Sequence, residues 1–153
     1  MSGWWQLLTG LPLAAEVVIL SYYDLRAGIL PDRLVSILAA LGVMRICWYG
    51  SWKEAIFGVL LGGGLLLLLR LLSRGGMGGG DVKFSAALGL WLGPPGILLT
   101  LLLAFVAGGL VAAVMLLSGT RRRSLPFGPF LGVAGWLAYL YGSAWLNWYG
   151  IWL

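Results

Sequence analysis

Histidine is absent from this sequence of 153 residues, and cysteine occurs once, as Cys47. Without histidine the chain cannot form Ser-His-Asp triads, Cys-His pairs or His-liganded metal sites. A single cysteine excludes an intrachain disulfide and a thiolate metal cluster. We expect Cys47 to be a small buried apolar residue. The composition therefore predicts chemistry that needs neither a metal nor a cofactor.

Charge is also scarce, with ten Lys/Arg and five Asp/Glu, while 61% of the residues are hydrophobic. A soluble domain is about 25% charged and about 45–50% apolar. Six membrane helices of roughly 20 residues would use about 120 residues and leave no room for an extramembrane domain. The start, MSGWWQ, lacks the basic region of a signal peptide. We therefore expect residues 1–153 to form a single polytopic membrane domain that retains its first hydrophobic segment.

Breaks between the hydrophobic runs predict an all-α integral membrane protein with about six transmembrane helices. A glycine-rich break at Gly75–Gly80 separates the third span from the fourth, and Gly93-Pro94-Pro95-Gly96 separates the fourth from the fifth. The predicted spans are Trp4–Tyr23, the segment that starts after Pro31 and runs to Tyr49, Ala55–Leu72, Val82–Leu92, Ile97–Ser118 and Pro129 to the C-terminus.

The basic residues predict the orientation of these spans. The loops after spans one, three and five, together with the adjoining helix ends, carry eight of them, and the opposite face carries Arg45 and Lys53. By the positive-inside rule, the odd-numbered loops lie in the cytoplasm and both termini lie outside. Because the basic residues are divided among short loops, we expect anionic lipid rather than nucleic acid as their partner. The eight are Arg26, Arg33, Arg70, Arg74, Lys83, Arg121, Arg122 and Arg123.

Several glycines are spaced by four residues, a spacing that lets membrane helices approach closely. The pairs are Gly58/Gly62, Gly89/Gly93 and Gly128/Gly132. We expect them to serve helix packing.

Among the five acids, Asp24 and Asp81 fall at the ends of hydrophobic spans that the predicted topology brings to the same face. Two adjacent carboxylates do not both ionise easily and can share a proton, so that one polarises a carbonyl while the other activates water. The alternatives are that Asp24 is a helix-end charge facing water and that Asp81 is a helix N-cap.

Glu16 lies two helical turns from Asp24 on nearly the same face. Three roles are open for it: to tune the site, to bind a basic part of a substrate, or to form a hydrogen bond within the bundle as a neutral acid. Asp32 follows Pro31 at a helix start, where an acid also complements the helix dipole. Glu54 stands beside Lys53 and is expected to be a surface charge. Glycines before Asp81 would let an extended peptide approach the carboxylate closely.

Three segments resemble motifs of the type IV prepilin peptidases. Asp24-Leu25-Arg26, continuing through Ile29 to Leu34, resembles their first-aspartate motif. Gly78-Gly79-Gly80-Asp81-Val82-Lys83-Phe84 resembles their GxGD motif, and Leu125 to Phe130 resembles their C-terminal loop. The resemblance covers the chain from about Asp24 onward.

The resemblance implies a membrane aspartic endopeptidase of the inner (plasma) membrane. Such enzymes remove the basic leader of prepilins and pseudopilins on the cytoplasmic side, typically after a glycine. Asp24 and Asp81 match the family's catalytic aspartates, and the neighbouring motif residues are expected to shape the site or bind substrate. These neighbours are Pro31, Asp32, Gly78, Gly80 and Lys83, and Glu16 is added from its position.

The sequence departs from the larger, bifunctional members of that family. Those members carry an N-terminal cytoplasmic insertion with cysteine pairs and also N-methylate the new terminus. This sequence has neither feature and resembles the compact, peptidase-only branch, so methyltransferase activity is not expected.

Three other functions remain open from the residues alone. One is a small transporter or proton-relay protein that uses Glu16, Asp24 and Asp81. Another is a non-catalytic pilus or secretion assembly subunit in which the acids are helix caps. The last is a Ser-Lys peptidase using Lys83 with Ser85 or Ser73, although residues two apart do not face each other on a helix.

Overall fold

Five α-helices and no strand make up the part of the chain that the computed structural model describes, residues 3–50, 52–74, 77–118 and 126–148. The all-helical expectation is confirmed. The helices are α1 (Gly3–Ala27), α2 (Asp32–Tyr49), α3 (Trp52–Leu72), α4 (Gly79–Leu117) and α5 (Gly128–Trp148).

Glycines in the left-handed conformation end the first two helices. Gly28 has φ 62°, and its N–H donates to the carbonyl of Asp24 at 2.9 Å. Gly50 has φ 74°, and its N–H donates to the carbonyl of Ile46 at 2.7 Å. A glycine adopts this conformation without the steric penalty of a Cβ, so the chain turns immediately after each helix. This turn leaves Asp24 in the last turn of α1.

The fourth helix joins two of the predicted spans. Gly93 interrupts α4 with φ 65° and ψ −175°, which confirms the break expected at Gly93-Pro94-Pro95-Gly96, but helical structure resumes at once and no loop intervenes. The predicted break over Gly75–Gly80 extends too far, because Gly79 and Gly80 already belong to the first turn of α4. The segments before and after Gly93 both contact Gly62 of α3, through Ser85 and Ile97, so α4 folds back on itself at Gly93.

Proline in α4 also explains a contact between α2 and α4. Pro95 has no N–H, so the carbonyl of Trp91 loses its regular helical donor. Arg45 supplies one, since its Nη1 donates to that carbonyl at 3.0 Å. The indole Nε1 of Trp91 in turn donates to the carbonyl of Leu38 at 3.0 Å. The break in α4 is therefore stabilised from α2.

Helices α3 and α4 pack through their glycines. A Cβ added to Gly58 would collide with the carbonyl of Gly89, and one added to Gly89 would collide with the backbone of Gly58. A Cβ on Gly62 would lie 2.6 Å from the carbonyl oxygen of Ser85. The packing role expected for the first two glycine pairs is confirmed.

Helix α5 lies between α1 and α4. A Cβ on Gly132 would lie 2.7 Å from Cγ1 of Val17 in α1, and one on Gly135 would lie 3.2 Å from the side chain of Leu88 in α4. No Cα atom of α1 comes within 8 Å of one in α4 in the described residues. The two helices are therefore connected through α5 rather than by close contact of their backbones.

Many large apolar side chains lie on the outside of the bundle, among them Leu68, Leu71 and Leu72 of α3 and Leu116 and Leu117 of α4. Soluble monomers rarely expose contiguous apolar surface on this scale. Two described helices, α3 and α4, are long and apolar enough to cross a membrane. Cys47 belongs to this outer surface of α2, so the expectation that it is buried is wrong.

Candidate active site

Asp24 is buried in the last turn of α1, with 6% of its surface exposed. The backbone N–H of Gly128, the first residue of α5, donates to its Oδ2 at 2.7 Å. The alternative that Asp24 is a helix-end charge facing water is therefore wrong. The glycine spacing predicts only helix packing for Gly128, although this glycine lies in the segment Leu125 to Phe130 and stands before a proline at a helix start.

Asp81 is likewise buried, at 8% exposed, in the first turn of α4. The N-cap of α4 is Gly78, and Asp81 is the third helical residue. Its carboxylate accepts a hydrogen bond from the backbone N–H of Gly78, as an acid at this position commonly does. The alternative that Asp81 itself is the N-cap is wrong. Its Oδ1 is buried without a hydrogen-bond partner among the described residues.

The two aspartates lie at the same end of the bundle, where α1 ends and α4 and α5 begin. Their carboxylates are close enough to interact electrostatically, although their Cα atoms are more than 8 Å apart. This arrangement brings two buried acids together while keeping the backbones that carry them apart. Such a pair can share one proton, which is the state needed for acid and base to act together.

The glycines before Asp81 make room for parts of this chain. A Cβ on Gly80 would lie 2.8 Å from Cβ of Leu30, a Cβ on Gly79 would collide with the guanidinium of Arg70, and one on Gly78 would lie 3.2 Å from Oδ2 of Asp81. Leu30, on the connection between α1 and α2, is 6% exposed. These glycines therefore let that connection and Arg70 pack closely against the start of α4.

Asp32 and Lys83 form an ion pair beside the aspartates. Lys83 Nζ lies 2.8 Å from both carboxylate oxygens of Asp32, and the two side chains are 57% and 68% exposed. Asp32 is the first residue of α2 and Pro31 is its N-cap, so the expected helix start is confirmed within one residue. The pair connects the first turns of α2 and α4.

Glu16 is 8% exposed within α1. Its Oε2 has no hydrogen-bond partner in the described part of the chain. The structure keeps Glu16 away from solvent and brings no described basic side chain to it. Its role stays a prediction.

Two of the alternative functions fit this geometry poorly. Lys83 is exposed and paired with Asp32, whereas Ser85 is fully buried against Gly62 of α3, so the pair cannot act as nucleophile and base. A transporter would place its acids near the middle of the membrane. Asp24 and Asp81 instead lie at helix ends.

Comparison with known proteins places the chain in a family. Residues 11–113 match the model of the type IV leader peptidase family, Peptidase_A24. This match covers Asp24 and Asp81 and most of α1 to α4. The chain therefore belongs to the type IV leader peptidase family, and the resemblance seen in its motifs is confirmed.

Several curated proteins are similar over most of the chain. The prepilin leader peptidase/N-methyltransferase of Xanthomonas campestris pv. campestris is 35% identical over an alignment of 148 residues, and the alignment covers 91% of this chain and 52% of that protein. The protein of the same name from Aeromonas salmonicida is 34% identical over an alignment of 154 residues, which covers 95% of this chain and 53% of that protein. The chain thus spans about half the length of the curated relatives it matches. No solved structure matches it.

Proposed function

We propose that this chain is a membrane aspartic endopeptidase that cleaves the basic leader from type IV prepilin or pseudopilin-like precursors. The observation that carries the proposal is the pair of buried carboxylates, Asp24 and Asp81, interacting at one end of an apolar helix bundle. Membership in the type IV leader peptidase family and the names of the relatives support the same substrate class.

In the proposed mechanism one aspartate is ionised and the other carries the shared proton. A water held between them gives a proton to the ionised carboxylate as it attacks the scissile carbonyl carbon. The protonated carboxyl polarises the carbonyl oxygen, and a proton then passes to the departing amine.

We further propose that the chain crosses the inner membrane six times, with both termini outside and the aspartates at the cytoplasmic face. The excess of basic residues in the odd-numbered loops supports this orientation. The shape of α4 supports six crossings, because its segments before and after Gly93 both pack against Gly62 of α3 and therefore lie side by side. The interruption at Gly93 then divides α4 into two crossings.

The remaining site residues have supporting roles in the proposal. Gly78 and Gly80 shape the start of α4 around Asp81, and Pro31 begins the helix that carries Asp32. Asp32 and Lys83 contribute charge near the path of a basic leader. The proposal covers the peptidase part of the relatives' names only; the expected lack of methyltransferase activity stays a prediction.

A cleavage assay in proteoliposomes tests the aspartate pair. The substrate is a prepilin-like protein with a basic leader and a glycine at the junction, and mass spectrometry identifies the products. We expect Asp24→Asn and Asp81→Asn each to reduce the cleavage rate by about 10²-fold or more, because each removes one half of the acid-base pair.

The matched control is Glu54→Gln, which neutralises an exposed acid in the first turn of α3. It should cleave at the wild-type rate. Full activity in either folded aspartate variant would refute the mechanism. Failure of the folded wild type on several such substrates would instead favour an assembly role.

A further inference from the structure

A groove opens on the surface of the bundle between α2 and α4, with α3 at one edge. Its volume is about 430 Å³. The ion pair of Asp32 and Lys83 stands at one end, beside the hydroxyl-bearing Ser36. Below the ion pair the walls are apolar and mostly small, formed by Val35, Ala39, Val59, Ala86, Ala87 and Leu90.

The groove does not belong to the aspartate site. Lys83 follows Asp81 by two residues, which turns it about 200° around the axis of α4. The contact between Leu30 and Gly80 and the ion pair of Asp32 with Lys83 stand between the groove and Asp81. A polypeptide seated in the groove would have to pass over both contacts to reach the aspartates.

The groove is short and lined mostly by small side chains. From Lys83 to Leu90 the α4 wall runs seven residues, or about 10.5 Å. A single acyl chain is narrow enough to lie between the small side chains of Ala39 and Ala86.

The charges at the groove's mouth indicate the headgroup. A carboxylate and an ammonium lie side by side there, both more than half exposed, so each keeps free capacity for a second partner. Their net charge is zero, which gives an anionic lipid no advantage. A zwitterionic headgroup with a primary ammonium matches both charges, because its N–H groups can donate to Asp32 and its phosphate can accept from Lys83.

We propose that this groove is a binding site for one phospholipid with an ethanolamine headgroup. One acyl chain lies along Ala39, Ala86 and Leu90, the ammonium contacts Asp32 and the phosphate contacts Lys83. The headgroup supplies selectivity. The proposal does not rest on the peptidase activity.

The test is native mass spectrometry of the delipidated full chain after incubation with an equimolar mixture of three lipids. Phosphatidylethanolamine, phosphatidylcholine and phosphatidylglycerol are used with identical acyl chains. We expect one bound lipid per chain, with phosphatidylethanolamine enriched about threefold over the others, the ratio that an exposed charge pair supports. The enrichment should disappear in Asp32→Asn, because this variant lacks the carboxylate that accepts from the ethanolamine N–H groups. Phosphatidylcholine has no such N–H groups, so its binding should not change.

Two pairs of variants separate the parts of the site. Ala86→Phe fills the groove and should abolish the bound lipid, whereas Ala113→Phe, on an exposed face of α4, should not. Lys83→Gln should reduce phosphatidylethanolamine occupancy about threefold, whereas Lys53→Gln, at an exposed site on α3, should not. Asp32→Asn and Lys83→Gln change exposed side chains, so these two variants remain informative if Ala86→Phe does not fold.

Three results would overturn the proposal. Equal occupancy by all three lipids in the wild type would show that the ion pair does not select the headgroup. Unchanged occupancy in folded Ala86→Phe would show that the lipid does not bind in the groove. Displacement of the lipid by an apolar prepilin helix peptide, in the wild type and not in Ala86→Phe, would assign the groove to substrate.

Discussion

The backbone N–H of Gly128 donates a 2.7 Å hydrogen bond to Oδ2 of Asp24, across 104 positions of sequence. Gly128 is the first residue of α5, where backbone N–H groups have no partner within their own helix. The carboxylate of α1 therefore caps α5 from outside. The positive end of the α5 dipole also favours a negative charge there. One contact thus fixes the orientation of Asp24 and the start of α5.

This contact predicts that Gly128→Ala impairs the site more than the fold. A Cβ would lie 2.7 Å from Oδ2 of Asp24 and force the carboxylate to move. We expect cleavage to fall by about 10²-fold, the effect of a displacement near 1 Å. Cleavage rates in proteoliposomes measure the effect on the site, and thermal unfolding measures the effect on the fold. Gly109→Ala, where nothing lies within 4 Å, is the control, and equal activity of both variants would contradict the prediction.

Close packing of α3 against α4 predicts a loss of stability in Gly58→Ala. The added Cβ would collide with the carbonyl of Gly89 and push the two backbones apart. Such overpacking destabilises by about 1–3 kcal/mol. Gly64→Ala on the same helix meets nothing within 4 Å, and its gain in helix propensity should stabilise by about 0.5–1 kcal/mol. In thermal unfolding in detergent, Gly64→Ala should have the highest Tm and Gly58→Ala the lowest.

Arg45 supports the interruption of α4, and its removal should destabilise the protein. In Arg45→Met the buried carbonyl of Trp91 loses the donor that replaces the missing N–H of Pro95. An unsatisfied buried acceptor costs about 1–3 kcal/mol. Arg45→Lys keeps a charge and a donor and should lose less. A Met variant as stable as the wild type would show that the carbonyl finds another partner.

The ion pair of Asp32 with Lys83 should contribute little to stability, because both side chains are more than half exposed. A double-mutant cycle with Asp32→Asn and Lys83→Gln should give a coupling of about 0.2–1 kcal/mol. The coupling should shrink in 1 M salt, where screening acts over about 3 Å. A larger or salt-independent coupling would mean that the pair is buried in the membrane-bound protein.

The sequence by itself determined the helical class, the apolar composition, the limits of most helices and the two aspartates at helix ends. Local physics explains this success, since hydrophobic runs, glycine and proline act within a few residues of themselves. The same local information gave no reason for the length of the glycine-rich break. The predicted break ends too late, because Gly79 and Gly80 already belong to the first turn of α4.

Tertiary structure alone decided how the site is built. The burial of Asp24 and its bond to Gly128 require α1 and α5 to pack, and the electrostatic interaction between the aspartates requires the start of α4 to lie near the end of α1. The pairing of Lys83 with Asp32, rather than with Ser85, likewise depends on where α2 lies. These contacts join residues 51 to 104 positions apart, so their partners are chosen by helix packing and not by neighbouring sequence.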